Sequence, residues 1–357
     1  MKAALLHRHN APLRLAELTP LPLEFGQVLV RVLVSGICGA QLQEIRGEKK
    51  TGPLPHPLGH EGCGIVEKIG PGVTRVKEGD KVVMHWRKAA GIESDFPKYH
   101  YAEQGATITG GLVTTFAEKS ICSENRLTPV PPDTDPHLCA LLGCSLSTAL
   151  ATIENEKSRF GESVLIIGAG GLGLCLLGAL HLISPGRVCC CDHFEAKRNR
   201  VRVAGAEFIH GAAELANAAP FDLILDTAGA PETTEAALER MAPNGRYVMI
   251  GQPKPGAPVC INAARHLFEG EGKTIRATQG GGFRPDQDIP RYLRIADDLF
   301  ITNLVTHVFP LEKINAALDL VRAGEAGRVL IECSRSENTE ARSEQDITTP
   351  SAHLKAA

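Results

Sequence analysis

The first third of the chain alternates between apolar and polar positions. VLVRVLVS (28–35), GCGIVEKIG (62–70) and DKVVMHW (80–86) are short strand-like runs, separated by the Pro/Gly turns IGPGV and KEGD. Such runs predict a β-rich region over residues 1–145. From about residue 146 the pattern changes. Apolar runs VLIIGAG, RVCCCD, FDLILDTAG and GRYVMIG take turns with the helical stretches LGLCLLGALHLI, EAKRNRVRVAG and TTEAALERMAP. Strand and helix in alternation predict βαβ units on a parallel sheet. Residues 275–335 are mixed and end in a helix (EKINAALDLVRAG) and a strand (RVLIEC). Residues 335–357 are polar with little to bury and read as a disordered tail.

Length and charge narrow the possibilities. A chain of 357 residues is too long for one ordinary core and points to two domains. A net charge of −3 without a long basic run gives no sign of nucleic acid or an anionic membrane as partner. No run of 18 apolar residues predicts a membrane span, and MKAALLHRHNAP does not read as a signal peptide. The eleven cysteines form no disulfide framework in a chain of this length. Three of them, Cys189, Cys190 and Cys191, sit inside a predicted buried strand. A reduced, cytoplasmic protein is expected, with thiols acting as core fillers or metal ligands.

Strand VLIIG runs directly into Gly168-Ala169-Gly170-Gly171-Leu172-Gly173 and then a helix. The first glycine permits a tight turn, the second lets a pyrophosphate approach the backbone, and the third lets the helix pack on the strand. The helix N-terminus then offers N–H groups to the phosphates. The next strand ends at Asp192, 19 residues after Gly173, where a carboxylate can accept hydrogen bonds from a ribose and repel a 2′-phosphate. A doubly wound, Rossmann-type unit preferring NAD to NADP is predicted. Thr227, in DTAG, and Gly251, in MIGQP, stand at the ends of later strands, where open α/β sheets bind ligands.

Cys38 lies between glycines in GICG and fits a core thiol, a nucleophile or a metal ligand. Two further groups of the right kind follow, His60 beside Glu61 in LGHEGCG, and Cys144 in LLGCSLSTAL. Two thiolates and an imidazole make a zinc set that leaves a fourth position open, as catalytic sites do. Glu61 is a candidate fourth metal ligand or a group that orients the others.

In this order GIC (36–38), GHEGCGIVEKIGPGV (59–73), GDKV (79–82), the cysteine before STAL, and GAGGLG resemble the zinc-dependent medium-chain alcohol dehydrogenases over essentially all of residues 1–334. The resemblance implies a GroES-like catalytic domain over 1–145, completed by about 280–334, with a Rossmann NAD-binding domain over 146–279. It implies that Cys38, His60 and Cys144 hold one catalytic zinc ion, that Thr148 touches the nicotinamide, and that Arg328 reaches the cofactor pyrophosphate. A homo-oligomer, dimer or tetramer, is implied as well. The expected reaction is hydride transfer between NAD(H) and a small-molecule secondary alcohol or ketone.

Two departures from that pattern matter. Residues 84–115 contain no cysteine, so the four-cysteine lobe that holds a structural zinc in many relatives is replaced by what reads as a loop rich in aromatic and charged groups, and one metal per chain is expected. Two residues after the zinc cysteine, where relatives carry Ser or Thr to take the alcohol proton, stands Ala40, followed by Gln41. A water or another side chain must then move the proton. Gln43, His85, His100 and Glu61 are candidates, with His85 and His100 best suited by pKa. Trp86 fits either an aromatic wall of the substrate pocket or a core filler. Arg87 and Lys88, with Tyr99, His100 and Tyr101, suggest a polar pocket and a polyol, sugar or cyclitol substrate. The alternatives are an alcohol or aldehyde dehydrogenase acting on a simpler or thiol-adduct substrate, and a nucleotide-binding relative without catalysis. QGGGFRPDQDIPRY (279–292) reads as a Gly-rich loop, either beside the cofactor or merely connecting.

Overall fold

A computed structural model describes residues 1–49, 51–270, 272–295 and 304–334; the predicted tail, 335–357, lies outside the described residues. The alternating run around Val30 forms strand Gln27–Gly36. Its residues Val28, Val30, Val32 and Val34 all turn into the core, as a period of two requires. Burying each such side chain contributes roughly 1.5–3 kcal/mol. The strand is the hub of a seven-stranded sheet ordered Leu127–Val130, Lys81–Met84, Gly62–Ile69, Gln27–Gly36, Arg328–Glu332, Val305–Pro310, with Lys119–Ser123 also paired to it. Strand Arg328–Glu332 pairs antiparallel with the end of Gln27–Gly36, matching Leu330 with Gly36. The chain's last described strand therefore returns beside the strand that leads into Cys38.

Residues 164–277 build a second sheet, six strands that are all parallel. Its order is Glu207–His210, Val188–Asp192, Val164–Ile167, Phe221–Asp226, Met241–Met249, Thr274–Ala277. In sequence terms this is 3-2-1-4-5-6, the doubly wound order with its ligand crevice beside the first strand. Val164–Ile167 is buried throughout, as is the cysteine run of Val188–Asp192, because helices cover both faces. Cys189, Cys190 and Cys191 are fillers there: burial pushes the thiols at 189 and 191 up to about 12, away from reactivity. All eleven cysteines are free. No single helix among the described residues is long and apolar enough to cross a membrane.

Three local expectations differ from the structure. Residues 84–115 are not simply a loop. Lys98–Tyr101 and Ala106–Thr109 form a hairpin that extends a five-stranded sheet with His56–Pro57, Lys2–Leu6 and Arg14–Pro20. Tyr99 and Tyr101 point into that sheet's core, and His100 faces outward between them. Stretch 279–292 contains helix Pro285–Arg294, started by Pro285 in its first turn and packed through Ile289 and Tyr292. The predicted helix TTEAALERMAP ends at Leu238, because Met241 already belongs to the next strand.

The lobe without cysteines is gathered by one carboxylate. Glu124 is fully buried and accepts the backbone N–H groups of Thr74 (2.5 Å), Arg75 (2.7 Å) and Ile92 (2.7 Å). Burial pushes its pKa up, but these backbone donors outweigh it and hold the group below its usual value. Glu124→Ala leaves three donors without a partner and is expected to cost about 3 kcal/mol or more, measured by denaturant unfolding. Because the folded pKa lies below the unfolded one, the wild-type contribution is fully present at neutral pH. It is lost as pH falls through the folded value, so the gap between wild type and variant narrows in acid.

Candidate functional site

Cys38 caps helix Gly39–Arg46, and the third helical residue, Gln41, fixes it. The Gln41 side-chain oxygen accepts the Cys38 backbone N–H at 3.0 Å, one half of a capping box. The nitrogen of the same amide meets Nδ1 of His60. Gln41 is fully buried, so one neutral side chain ties the first thiol to the imidazole. Cys144 likewise caps helix Ser145–Asn155. Both cysteines thus stand at the N-terminus of a helix, where the partial positive charge lies.

Donor atoms of Cys38, His60 and Cys144 all lie within 4.8 Å of one another. The hydrogen bond from Cys144 holds the Cys38 thiol well below its ordinary range against the effect of burial, and His60 adds to this. Cys144 is pushed up by the same bond. Burial lowers His60, but the Cys38 thiolate more than offsets it. Two sulfurs and an imidazole this close together fit a zinc ion with an open fourth position.

Glu61 is not part of this group, which corrects its expectation as a metal ligand. Its carboxylate is paired with Arg328, and its second oxygen accepts the Ser145 N–H at 3.4 Å. The two side chains are 0% and 3% exposed. Gly36 makes room for them: a Cβ there would stand 2.7 Å from Glu61 Cδ and 2.8 Å from Arg328 Nη2. Arg328 also reaches under the Gly-rich turn, where a Cβ on Gly171 would meet its Cδ at 2.6 Å. Its Nε is buried without a partner.

The turn has the three properties a dinucleotide needs. Gly168 has φ +96°, and a Cβ on Gly173 would lie 1.8 Å from the Gly168 carbonyl oxygen. At Gly170 nothing lies within 4 Å of where a Cβ would be, which leaves the approach to the helix N-terminus open. With the unpartnered Arg328 Nε beside it, the turn fits a pyrophosphate. Asp192 Oδ2 accepts the Ala169 N–H and pairs with Lys197, each at 2.8 Å, while Oδ1 accepts the Phe194 N–H at 2.9 Å and keeps a lone pair. Thr227 donates its hydroxyl to the Ile167 carbonyl at 2.7 Å and so supports the turn from the neighbouring strand.

A cleft of 650 Å³ joins the two regions. Cys38, His60, Cys144 and Thr148 line it at the metal end, and Leu172, Thr227 and Gly251 at the cofactor end. Trp86 lines it too, with its ring edge-on to Phe283, so the wall is the better of its two readings. Gln43, Glu44, Arg46, Lys49, Gln252 and Gln279 add polar groups, and Phe96, Leu112 and Val113 apolar ones.

Several sequence candidates sit elsewhere. His85 is fully buried with Nδ1 on the Arg87 carbonyl (2.8 Å) and Nε2 on the Thr128 hydroxyl (3.0 Å). Burial lowers its pKa to about 3, so it stays neutral and off the cleft, and the expectation of a catalytic role is corrected. His100, Tyr99 and Tyr101 belong to the outer sheet. Arg87 bridges the carbonyls of Gln279 and Phe283, each at 2.7 Å, and Lys88 pairs with Glu93 at 2.7 Å. Gln41 and Glu44 were not foreseen; the Cys-x-x-Gln spacing of a capping box was the available signal for the first.

The chain matches the alcohol dehydrogenase GroES-like domain over residues 24–132 and the glucose dehydrogenase C-terminus over residues 145–324. Alcohol dehydrogenase 6 of Peromyscus maniculatus is 27% identical, covering 92% of this chain and 97% of its own length. S-(hydroxymethyl)glutathione dehydrogenase of Photobacterium damsela subsp. piscicida is 25% identical, covering 92% and 99%. The solved structure of benzyl alcohol dehydrogenase from Acinetobacter calcoaceticus shares the fold, with a TM-score of 0.82 at 23% identity over 93% of this chain and 99% of that one.

Removing one partner of the buried pair leaves a bare charge. Arg328→Met is expected to cost about 3–5 kcal/mol in denaturant unfolding, and adding Glu61→Gln should recover most of that loss. NADH affinity, read by fluorescence titration, should stay weakened in the double variant if Arg328 also serves the pyrophosphate.

Proposed function

The chain belongs to the zinc-dependent medium-chain dehydrogenase/reductase family, and we propose that it interconverts a polyhydroxylated secondary alcohol and its ketone with NAD(H). It is an oxidoreductase of the zinc alcohol dehydrogenase type. The finer reading rests on one observation: a cleft of 650 Å³ that joins the Cys38–His60–Cys144 group to the Gly-rich turn and is lined in part by the polar side chains Gln43, Gln252 and Gln279.

Cys38, His60 and Cys144 hold the ion in this reading. Bound there, zinc supplies Lewis acidity toward a substrate oxygen. NAD supplies the hydride acceptor. The protein's own part is placement and exclusion of water. Gly168, Gly170 and Gly173 admit the pyrophosphate to the helix N-terminus, and Asp192 keeps a lone pair for a ribose hydroxyl. Thr148, Leu172 and Gly251 border the nicotinamide side of the cleft, and Trp86 closes the substrate side. Gln43, Gln252 and Gln279 line the cleft as hydrogen-bonding groups suited to several hydroxyls, and Phe96, Leu112 and Val113 suit a carbon skeleton. One zinc per chain goes with this reading, because Glu124 gathers the lobe that has no cysteines.

A thiol-adduct substrate is the second reading. It is favoured by the cationic groups Arg46, Lys49 and Arg126 on the cleft, which suit a substrate bearing carboxylates.

Two experiments test this. Purified protein with NAD is offered cyclitols, sugars, simple alcohols and S-(hydroxymethyl)glutathione while NADH absorbance is followed. Polyols are expected to give the highest kcat/KM; a preference for the thiol adduct or simple alcohols would reject the polyol reading. Cys38→Ser is expected to lose zinc by metal analysis and to abolish turnover while NADH binding remains largely intact. Full zinc content and turnover in that variant would reject the ligand assignment.

A further inference from the structure

Helix Gly39–Arg46 turns Ala40, Gln43 and Glu44 toward the cleft. Ala40 and Glu44 are four residues apart and share one helix face, so Glu44 stands one turn behind the methyl group at 40. A methyl passes no proton, and the Gln43 amide has none to exchange in the neutral range. Arg46, Lys49 and Arg126 carry positive charge, while Cys38, His60 and Cys144 are the metal donors. Glu44 is the one carboxylate among the residues that line the cleft. The three other groups considered for the task are placed elsewhere: Glu61 is engaged by Arg328, His85 by Arg87 and Thr128, and His100 lies on the outer sheet.

We propose that Glu44 accepts the proton of the substrate hydroxyl, through one water or a second substrate hydroxyl seated over Ala40. This rests on the dehydrogenase reading above and adds the group that completes it. In the oxidising direction the substrate O–H bond breaks, and its proton passes to the bridging oxygen. That oxygen gives a proton of its own to the Glu44 carboxylate. The carbinol C–H bond breaks with both electrons, the hydride goes to the nicotinamide of NAD+, and the carbonyl forms. Glu44 then releases its proton to solvent at the cleft mouth. In reduction each transfer runs backwards.

The surroundings of Glu44 suit this role. Its side chain is 17% exposed, and Lys49 Nζ stands 3.8 Å from its carboxylate, beyond hydrogen-bond range. Among the described residues its carboxylate accepts no hydrogen bond, in contrast to that of Glu61. Burial raises its pKa; His60 and Lys49 pull it down, Cys38 pushes it up, and the net shift is upward. The remaining neighbours are Arg46, which pairs with Glu48 at 2.8 Å, and His9, whose Nδ1 lies 3.2 Å from the Glu44 backbone carbonyl. A carboxyl raised toward neutrality, next to solvent on one side and a substrate cleft on the other, matches what proton transfer needs.

The test uses zinc-loaded protein with NAD+ and 2,2,2-trifluoroethanol, an alcohol that gives up its hydroxyl proton but is not oxidised. Infrared difference spectra, with minus without the alcohol at each pH across the acid-to-neutral range, are expected to show a protonated-carboxyl band in wild type that is missing in Glu44→Gln. Zinc content and NADH affinity of that variant should match wild type. Turnover of an alcohol substrate should fall about a hundredfold or more, with loss of the acidic limb of the pH profile. Glu44→Asp retracts the acid by one methylene and should give a shifted band and an intermediate rate. A band that persists in Glu44→Gln, or a wild-type rate and pH profile in that variant or in Glu44→Asp, would overturn the proposal. Should wild type oxidise no polyol while the band still appears and depends on Glu44, the substrate reading fails and the proton assignment stands.

Discussion

Arg328 and Glu61 meet where three parts of the chain converge: the last described strand, the loop that presents His60, and the turn that opens the nucleotide-binding helix. Desolvating two charges is costly, and the pair persists because each is answered by the other and by fixed neighbours. Glu61 also meets the Ser145 N–H, and its backbone carbonyl accepts Gly36 N–H, the Ser35 hydroxyl and the Thr115 hydroxyl, each at 3.1 Å. The carbonyl contacts set the depth of the loop, and the ion pair sets its direction. His60 then has little freedom, since the residue beside it is anchored at both backbone and side chain. The same arginine presses against Gly171, so the distance between metal end and cofactor end is fixed by one side chain rather than by loops.

Local rules of helix ends reinforce this placement. Cys38 and Cys144 come from elements more than a hundred residues apart, yet each stands at the cap of a helix. A cap residue has extended or irregular backbone and points its side chain back across the first turn, toward unpaired N–H groups. Two such helix ends brought close together offer partial positive charge to the sulfurs. Gln41 supplies the remaining constraint as a neutral group. The balance of charge at the site therefore comes from the two sulfurs and the ion they bind, with the Glu61–Arg328 pair contributing none.

Much of this was legible in the chain. The doubly wound sheet followed from apolar runs of strand length alternating with helical stretches, and Gly168, Gly170 and Gly173 sat where backbone geometry needs them. Cys38, His60 and Cys144 were legible as a set through the family resemblance, because scattered thiols and imidazoles by themselves fit core fillers equally well. What stayed hidden depended on contacts distant in sequence. Nothing in GHEG says that Glu61 turns away from the metal, because its partner lies 267 residues later. His85 looked suited to proton transfer by its type; only the Thr128 hydroxyl and the Arg87 carbonyl, brought in by a neighbouring strand and its own turn, remove it. The lobe read as a loop because four-residue strands such as Lys98–Tyr101 carry too short an alternation to stand out among charged neighbours.

The alanine at 40 lines the same cleft as the polar side chains of Gln43, Glu44 and Gln252. Replacing a hydroxyl by a methyl leaves a gap that only an oxygen from outside the protein can fill, since Gln41 points inward to His60. A substrate with one hydroxyl and an apolar body has no such oxygen and must hold an ordered water, at a cost of up to about 2 kcal/mol in immobilisation. A substrate with a neighbouring hydroxyl carries the bridge with it and incurs no such cost. Glu44 and the glutamines at 43 and 252 border the same region, and Gln43 Nε2 reaches the Gln252 carbonyl at 3.4 Å, a contact weak enough to yield to a ligand. On the proposed function, the alanine at 40 therefore weighs on plain alcohols more than on polyols, and the departure that first seemed to endanger catalysis becomes a source of discrimination.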